Sequence, residues 1–206
     1  MAVAALLAAT IVSACSGGTG TVTAPTAPTR TATASPSSHA LDPSATAAAK
    51  VEPAPLKRST PVRLTIPEIG VDTKLMDLGL LADGSLQVPP TGFPAGWYIG
   101  GPTPGELGPA VIAGHIDHNG PGVFFNLHKL KPGELVKVTR ADGTKLTFRV
   151  SRVAHYPKDQ FPTAAVYGNL NHPGLRLITC GGSFNSQTGH YRDNTVAFAD
   201  LITPTG

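Results

Sequence analysis

Residues 135–153 read LVKVTRADGTKLTFRVSRV, and this stretch decides the fold class. Apolar and polar residues alternate on both sides of Ala141-Asp142-Gly143, with Leu146, Phe148 and Val150 on one side of the second half. Such alternation is typical of half-buried strands, and an Asp-Gly pair between two strands favours a tight turn. The stretch therefore predicts a β-hairpin.

Strand signals of the same kind recur on either side of this hairpin. The further predicted strands include residues 62–66, 110–113, 175–179 and 195–201. No segment predicts a long helix, and residues 123–129 predict a helical turn. Short strands separated by turn residues are typical of a closed barrel or a sandwich. We therefore predict an all-β domain of seven or eight strands.

The chain divides into three parts by composition. Of the 45 residues from 16 to 60, 34 are Ser, Thr, Ala, Pro or Gly and none is aromatic. Such a segment buries too little apolar surface to offset its ordering entropy, so we predict a disordered linker that acts as a tether.

The folded domain is predicted at residues 61–206. There, 12 Lys and Arg residues balance 11 Asp and Glu residues, which argues against a nucleic-acid partner.

The N-terminal part, residues 1–15, indicates export. Residues 2–14 carry no charge and are too few to span a bilayer, which needs about 20 apolar residues, but they suit a signal-peptide core. The run ends in Val-Ser-Ala-Cys15, which resembles a bacterial lipobox, although no Lys or Arg precedes it. Two anchors remain open: a lipid on Cys15, or a membrane segment shortened by a misassigned start. Either predicts a domain tethered at the outer face of a bacterial membrane.

Cys180 is the candidate nucleophile. The chain has two cysteines, and Cys15 belongs to the membrane end, so Cys180 is an unpaired thiol in an exported domain. A buried structural cysteine is the alternative. The sequence Leu-Ile-Thr-Cys-Gly-Gly (177–182) predicts a strand that ends at Cys180 and leaves its sulfur accessible. This context favours a catalytic thiol.

His115 is the candidate proton carrier among seven histidines. It follows Gly114 directly after the predicted strand 110–113, and strand ends are where a rigid scaffold presents reactive groups. A rival interpretation is a metal site made by His115, Asp117 and His118. Zinc sites use a further ligand at a recognisable spacing, and the sequence offers none, so no metal is predicted.

Arg192 is the candidate group for holding developing negative charge. It follows Cys180 by 12 residues across a Gly/Ser-rich connection, so two antiparallel strands can bring the pair face to face. Arginine suits this role because it stays charged and offers several donors. Arg176 is the competitor, but it lies four residues before the thiol, roughly 13 Å along a strand, which is too far for contact.

Three ordered signatures resemble those of the sortase family: Val-Ile-Ala-Gly-His (111–115), Leu-Ile-Thr-Cys (177–180) and Arg192 before a last strand. Finer features resemble the actinobacterial class F group. These features are Ile-Pro-Glu-Ile-Gly-Val (66–71), Gly-Trp-Tyr (96–98), Gly-His-Ile-Asp (114–117), Gly-Pro-Gly-Val-Phe-Phe (120–125) and Gly-His-Tyr-Arg-Asp-Asn (189–194). Arg176 stands where the signature has its first Thr.

The resemblance implies an eight-stranded sortase-type β-barrel with short helical turns and an active site at one end. It implies that Cys180 attacks the Thr–Gly bond of an LPxTG-like sorting signal and forms a thioacyl enzyme. His115 would protonate the leaving amine and deprotonate the incoming one, and Arg192 would hold the substrate carbonyl or the oxyanion. Thr179 would assist substrate binding through its hydroxyl or backbone. The implied partners are sorting signals of secreted proteins and a cell-wall amine, with no cofactor.

Other functions remain open beside this one. A hydrolytic cysteine peptidase of the same fold would share the acyl-enzyme and differ only in its acceptor. A non-catalytic, wall-associated lipoprotein would keep the barrel without the chemistry. An L,D-transpeptidase is disfavoured, because that class carries a Ser-x-Gly-Cys type motif, whereas Leu-Ile-Thr precedes Cys180 here.

Overall fold

The computed structural model describes residues 54–205; the predicted signal or lipobox-like segment (1–15) and most of the predicted linker lie outside the described residues. Three short 3-10 helices and one five-residue α-helix, α1 (Thr163–Tyr167), accompany eight strands in this part of the chain. The strands are β1 (Pro61–Ile66), β2 (Val71–Leu78), β3 (Ala95–Tyr98), β4 (Gly108–Ala113), β5 (Leu135–Arg140), β6 (Lys145–Pro157), β7 (Pro173–Asn185) and β8 (His190–Thr205).

The eight strands form one closed barrel in the order β1-β2-β3-β4-β7-β8-β6-β5. Strands β2 and β3 are parallel, as are β4 and β7, and the other neighbouring pairs are antiparallel. The prediction of an all-β, eight-stranded barrel with short helical turns is confirmed. The parallel pair β4–β7 brings together two segments that are far apart in sequence.

The hairpin at residues 135–153 forms as predicted, by β5 and β6. Leu146, Phe148 and Val150 point into the barrel and are fully buried or nearly so. Strand β6 extends beyond its predicted end to Pro157, because β8 pairs with it along the whole length, with Tyr156 opposite Asn194.

The prediction that β7 ends at Cys180 is wrong. β7 continues to Asn185 and pairs with β8 on both sides of a register shift between Gly181 and Phe184. Gly181 permits this pairing rather than breaking it, since a Cβ there would lie 2.4 Å from the Oγ1 of Thr195. Cys180 is therefore part of a long hairpin, with ordered strand on either side of it.

Strand β4 and residues 173–179 of β7 are buried on both faces, which explains their continuous apolar sequences. Their inner faces join the main core inside the barrel. On the outer face, Val111, Ile178, Val196 and Phe198 pack around Val166 of α1. The short helix thus covers the outer surface of β4, β7 and β8 beside the strand ends that hold the candidate site.

Residues 54–60, predicted as the end of the linker, lie against the barrel. The Leu56 amide donates to the Gly105 carbonyl (2.8 Å), and the Arg58 guanidinium lies 5.2 Å from the centre of the Trp97 ring. The packed part of the chain therefore begins before β1, within the segment predicted as linker.

Candidate active site

His115 and Cys180 come together because β4 and β7 are parallel neighbours. Ala113 lies beside Ile178 at the end of this pair, and the Gly114 amide donates to the Ile178 carbonyl at 3.0 Å. His115 directly follows Gly114, and Cys180 lies two residues after Ile178 on β7. Both residues line one cavity of about 1390 Å³.

The backbone of His115 is held by the segment 120–125. The Phe124 amide donates to the His115 carbonyl and the Gly122 amide to the Ile116 carbonyl, both at 2.9 Å. A Cβ on Gly122 would lie 2.4 Å from the His115 carbonyl oxygen, so only glycine allows this approach. The Gly-Pro-Gly-Val-Phe-Phe motif therefore has a local role, which is to fix where His115 stands.

The His115 imidazole also has a fixed partner. Its Nε2 lies 2.7 Å from the carbonyl oxygen of Pro89, in the connection between β2 and β3. A carbonyl only accepts hydrogen bonds, so Nε2 carries a proton, and Nδ1 of the neutral ring keeps its lone pair. Nδ1 is therefore the ring nitrogen that this hydrogen bond leaves available.

The cysteine occupies a half-buried position on the outer face of the barrel. Cys180 is a free thiol, and the residue directly opposite it on β8 is Asn194. The next outward-facing pair, Ile178 and Val196, belongs to the apolar cluster under α1. Directly opposite residues of an antiparallel pair share a face, so Cys180 and Asn194 stand side by side on the cavity wall.

Thr179 borders the same cavity, but its side chain faces the other way. Adjacent strand residues alternate in direction, and Thr179 is paired with the buried Thr195. Thr179 is only 4% exposed, and its Oγ1 has no hydrogen-bond partner among residues 54–205. Contact with a substrate through the backbone is compatible with this position, and the role of Thr179 stays a prediction.

The two arginines considered from the sequence lie in different surroundings. Arg192 is exposed, sits beside the register shift in β8 and is not among the residues that line the cavity; Asn194, not Arg192, faces Cys180. Its role stays a prediction. Arg176 is buried with its guanidinium 4.7 Å from the centre of the Phe198 ring, and burial lowers its pKa.

A hydrogen bond joins the loop after His115 to the β7–β8 hairpin. The Tyr191 hydroxyl donates to a carboxylate oxygen of Asp117, and its ring packs edge-on against Phe184 with centroids 5.2 Å apart. The pKa of Tyr191 is raised, first by this hydrogen bond to Asp117 and also by the nearby Cys180. The link ties together the two segments that carry the histidine and the thiol.

Replacing Tyr191 with phenylalanine removes this link and keeps the ring packing. We expect Tyr191→Phe to slow the reaction of the Cys180 thiol with an acylating ester about tenfold, because small displacements of reacting groups slow a reaction strongly. The measurement is the rate of thioester formation, followed by intact-protein mass spectrometry. His190→Ala, a change at an exposed cavity residue beside it, is the control. A wild-type rate in Tyr191→Phe would mean that the link does not position the loop.

The cavity wall is largely apolar. Its apolar and aromatic residues include Leu86, Val88, Tyr98, Leu107, Val111, Phe161, Tyr167 and Ile178. Charged side chains are few: Lys158 on one side, and Asp117, which is engaged with Tyr191. Such a wall suits an uncharged, extended segment of chain more than a charged ligand.

The rival metal interpretation gains no support from the arrangement. Within residues 54–205, no group of three or more His, Cys, Asp or Glu side chains is placed to hold a metal ion. The rings of His115 and His118 lie tilted at 38° with centroids 5.3 Å apart, and Asp117 accepts a hydrogen bond from Tyr191.

Asn194, Tyr191 and Pro89 had no assigned role from the sequence. Asn194 and Tyr191 lie in the quoted motif 189–194, but finding which residue faces Cys180 requires the strand register. The register shift makes counting from Cys180 unreliable. Pro89 acts through its carbonyl, which every residue possesses, so no sequence signal marks it.

Fold and cavity together define a class of all-β barrel proteins with an unpaired cysteine and a histidine in one cavity. The family model of the sortase domain matches residues 64–202. The chain therefore belongs to the sortase family, the cysteine transpeptidases of bacterial cell surfaces. The class F assignment stays a prediction.

Solved structures agree on the fold. Sortase C2 of pilus island 1 from Group B Streptococcus is 19% identical, with a TM-score of 0.54 over 69% of this chain and 73% of that one. A lid mutant of sortase A from Corynebacterium diphtheriae is 18% identical, with a TM-score of 0.55 over 72% and 73%. Sortase D5 from Clostridium perfringens is 24% identical, with a TM-score of 0.51 over 70% and 79%. The comparison with curated proteins gave no match.

Membrane spans were sought in the described part of the chain. No helix there is long and apolar enough to cross a bilayer. The anchoring segment predicted from the sequence, with Cys15, lies outside the described residues.

Proposed function

We propose that this protein is a transpeptidase that cleaves an LPxTG-like sorting signal between Thr and Gly and joins the new carboxyl end to a cell-wall amine. The observation that carries the proposal is that His115 and Cys180 line the same cavity. Its largely apolar wall suits the Leu-Pro part of such a signal, which is extended and uncharged.

The proposed reaction has two halves. The Cys180 thiolate attacks the Thr carbonyl carbon, so a C–S bond forms and the carbonyl electrons move to oxygen. When this oxyanion collapses, the C–N bond breaks and the leaving amine takes a proton from Nδ1 of His115. An acceptor amine then attacks the thioester, gives its proton to His115 and releases the thiolate. Arg192 is proposed to hold the carbonyl or oxyanion, and Thr179 to contact the substrate through its backbone.

The Pro89 carbonyl supports this use of His115. Because it accepts the Nε2 proton, a neutral ring keeps the Nδ1 lone pair available, and a protonated ring has one proton to release there. The steps use only protein side chains and the two substrates, so no cofactor is proposed.

The proposed site of action is the outer face of a bacterial membrane. The substrates are sorting signals of secreted proteins, and the acceptor is an amine of a cell-wall precursor. We propose that a lipid on Cys15 or an N-terminal membrane segment tethers the domain there. The segment from residue 16 onward would then act as a spacer between membrane and barrel.

The full chain incubated with fluorescence-quenched peptides of the LPxTG type tests the proposal. We expect cleavage between Thr and Gly, a thioacyl adduct on Cys180 detected by mass, and a ligated product when triglycine is added as an amine. Cleavage with water as the sole acceptor would favour a hydrolytic peptidase. A peptide panel that varies the first two positions and gives neither cleavage nor adduct would favour a non-catalytic wall protein.

A further inference from the structure

Asn194 is the side chain that stands directly opposite the thiol. It is half-buried, lines the cavity and pairs with Cys180 on one side and with Tyr156 of β6 on the other. Among the residues that the structure describes, its side-chain amide has no hydrogen-bond partner. A half-buried amide beside a reactive sulfur therefore has an unused donor.

The distances of a β-ladder place this donor within reach of an acyl group on Cys180. Directly opposite residues have Cβ atoms roughly 5 Å apart, and both side chains project to the same face. An acyl group bound to Sγ of Cys180 can turn its oxygen into the space between the two side chains. Nδ2 of Asn194 can approach that oxygen without any change in the strands.

Acyl transfer at Cys180 is favoured by a hydrogen-bond donor beside the acyl oxygen. When the thiolate adds to a carbonyl carbon, the oxygen becomes negatively charged, and donors fixed in advance at that position stabilise the transition state. Arg192 is exposed, lies beside the register shift and is not among the residues that line the cavity, whereas Asn194 lines the cavity directly opposite Cys180.

We propose that Asn194 is a catalytic residue whose Nδ2 donates a hydrogen bond to the acyl oxygen at Cys180. In acylation the C–S bond forms, the oxygen gains charge while bonded to Nδ2, and the C–N bond then breaks with proton transfer from His115. The amide stays neutral throughout and gives up no proton. The inference rests on the proposed acyl transfer, but it does not depend on which sorting signal is used.

A test that is independent of the sorting signal uses p-nitrophenyl acetate and iodoacetamide. The ester acetylates Cys180 through an oxyanion: the C–S bond forms, the ester C–O bond breaks and p-nitrophenolate leaves. Iodoacetamide alkylates the same sulfur by displacing iodide, with no oxyanion. Full-length protein carrying Cys15→Ser leaves Cys180 as the one thiol to follow.

We expect Asn194→Ala to slow acetylation about 100-fold, the typical cost of losing one oxyanion donor, while alkylation stays at the wild-type rate. Asn194→Asp, which keeps the shape and removes the donor, should slow acetylation at least as much. Asn169→Ala, a change of another asparagine that lines the same cavity, should leave both rates unchanged.

The inference is overturned if Asn194→Ala is acetylated at the wild-type rate. Equal losses in both reactions would also overturn it, since they would place the effect on the thiol or the fold. Melting temperatures show whether Asn194→Ala has a folding defect. If it has, the acetylation rate of Asn194→Asp decides whether the inference holds. Failure of the proposed function has a different signature: the wild type reacts with the ester but cleaves no sorting-signal peptide.

Discussion

Replacing Cys180 with alanine is expected to abolish both peptide cleavage and the thioacyl adduct. Cys180 is the only thiol among residues 54–205, so the covalent route is lost. Activity should fall by at least about 10⁴-fold, as when the nucleophile of a covalent mechanism is removed. Turnover of the LPxTG-type peptides and intact mass after quenching measure the two effects.

Cys180→Ser is the matched variant for this result. It keeps the size and a hydrogen-bonding atom at the half-buried position, but a hydroxyl ionises far less readily than a thiol, so we expect it to be nearly as inactive. Both variants should melt close to the wild type, because a small, half-buried side chain contributes little to the core. If Cys180→Ala still cleaves or ligates the peptides as well as the wild type, the transpeptidase proposal is wrong.

His115→Ala is expected to have the second-largest effect, a fall of about 10²- to 10⁴-fold in turnover of a peptide substrate. The leaving amine of a peptide needs a proton, and Nδ1 of His115 is the proposed source. p-Nitrophenolate needs none, so acetylation by the ester should suffer less than peptide cleavage. Comparing the two rates in the same variant therefore isolates the proton-transfer role.

His118→Ala is the matched control for this prediction. Its ring lies 5.3 Å from that of His115 on the same loop, it lines the same cavity and it is exposed. We expect it to retain most of the activity, because His115 alone is bonded to Pro89. Equal losses in both histidine variants would instead indicate a shared role for the pair.

Asn194 and Arg192 differ in charge and in position as candidates for stabilising an oxyanion at Cys180. Arg192 offers a full positive charge from an exposed position, whereas Asn194 offers a neutral donor already beside Cys180. A neutral amide in a largely apolar cavity avoids the cost of desolvating a guanidinium. We therefore propose Asn194 as the donor to the acyl oxygen, and the role of Arg192 stays a prediction.

Much of the fold was predictable from local pattern. Alternation at residues 135–153 identified the hairpin, and the continuous apolar runs that precede His115 and Cys180 identified β4 and β7, because burial on one or both faces leaves its own pattern in the sequence. The lengths of β7 and β8 were underestimated. Glycines that usually end a strand are accommodated here by the partner strand, as at Gly181.

The candidate site was predictable in part. His115 and Cys180 were predicted because each follows an apolar run and has a reactive side chain; the structure places both on one cavity, and their catalytic roles stay predictions. Arg192 was chosen by its spacing from the thiol, whereas the pairing of β7 with β8 places Asn194 directly opposite Cys180. Which residues pair depends on the register between two strands, so spacing along the chain does not reveal it, and the role of Arg192 stays a prediction.

The sequence by itself determined that the domain is all-β and that a thiol and a histidine each follow an apolar strand segment. These properties are written in local periodicity and in residue type. Only the tertiary structure decided that β4 and β7 are parallel neighbours, that Pro89 fixes the proton on His115, and that Asn194 faces Cys180. Each of these is a contact between distant segments, and it depends on strand order, register and backbone position, which no local pattern encodes.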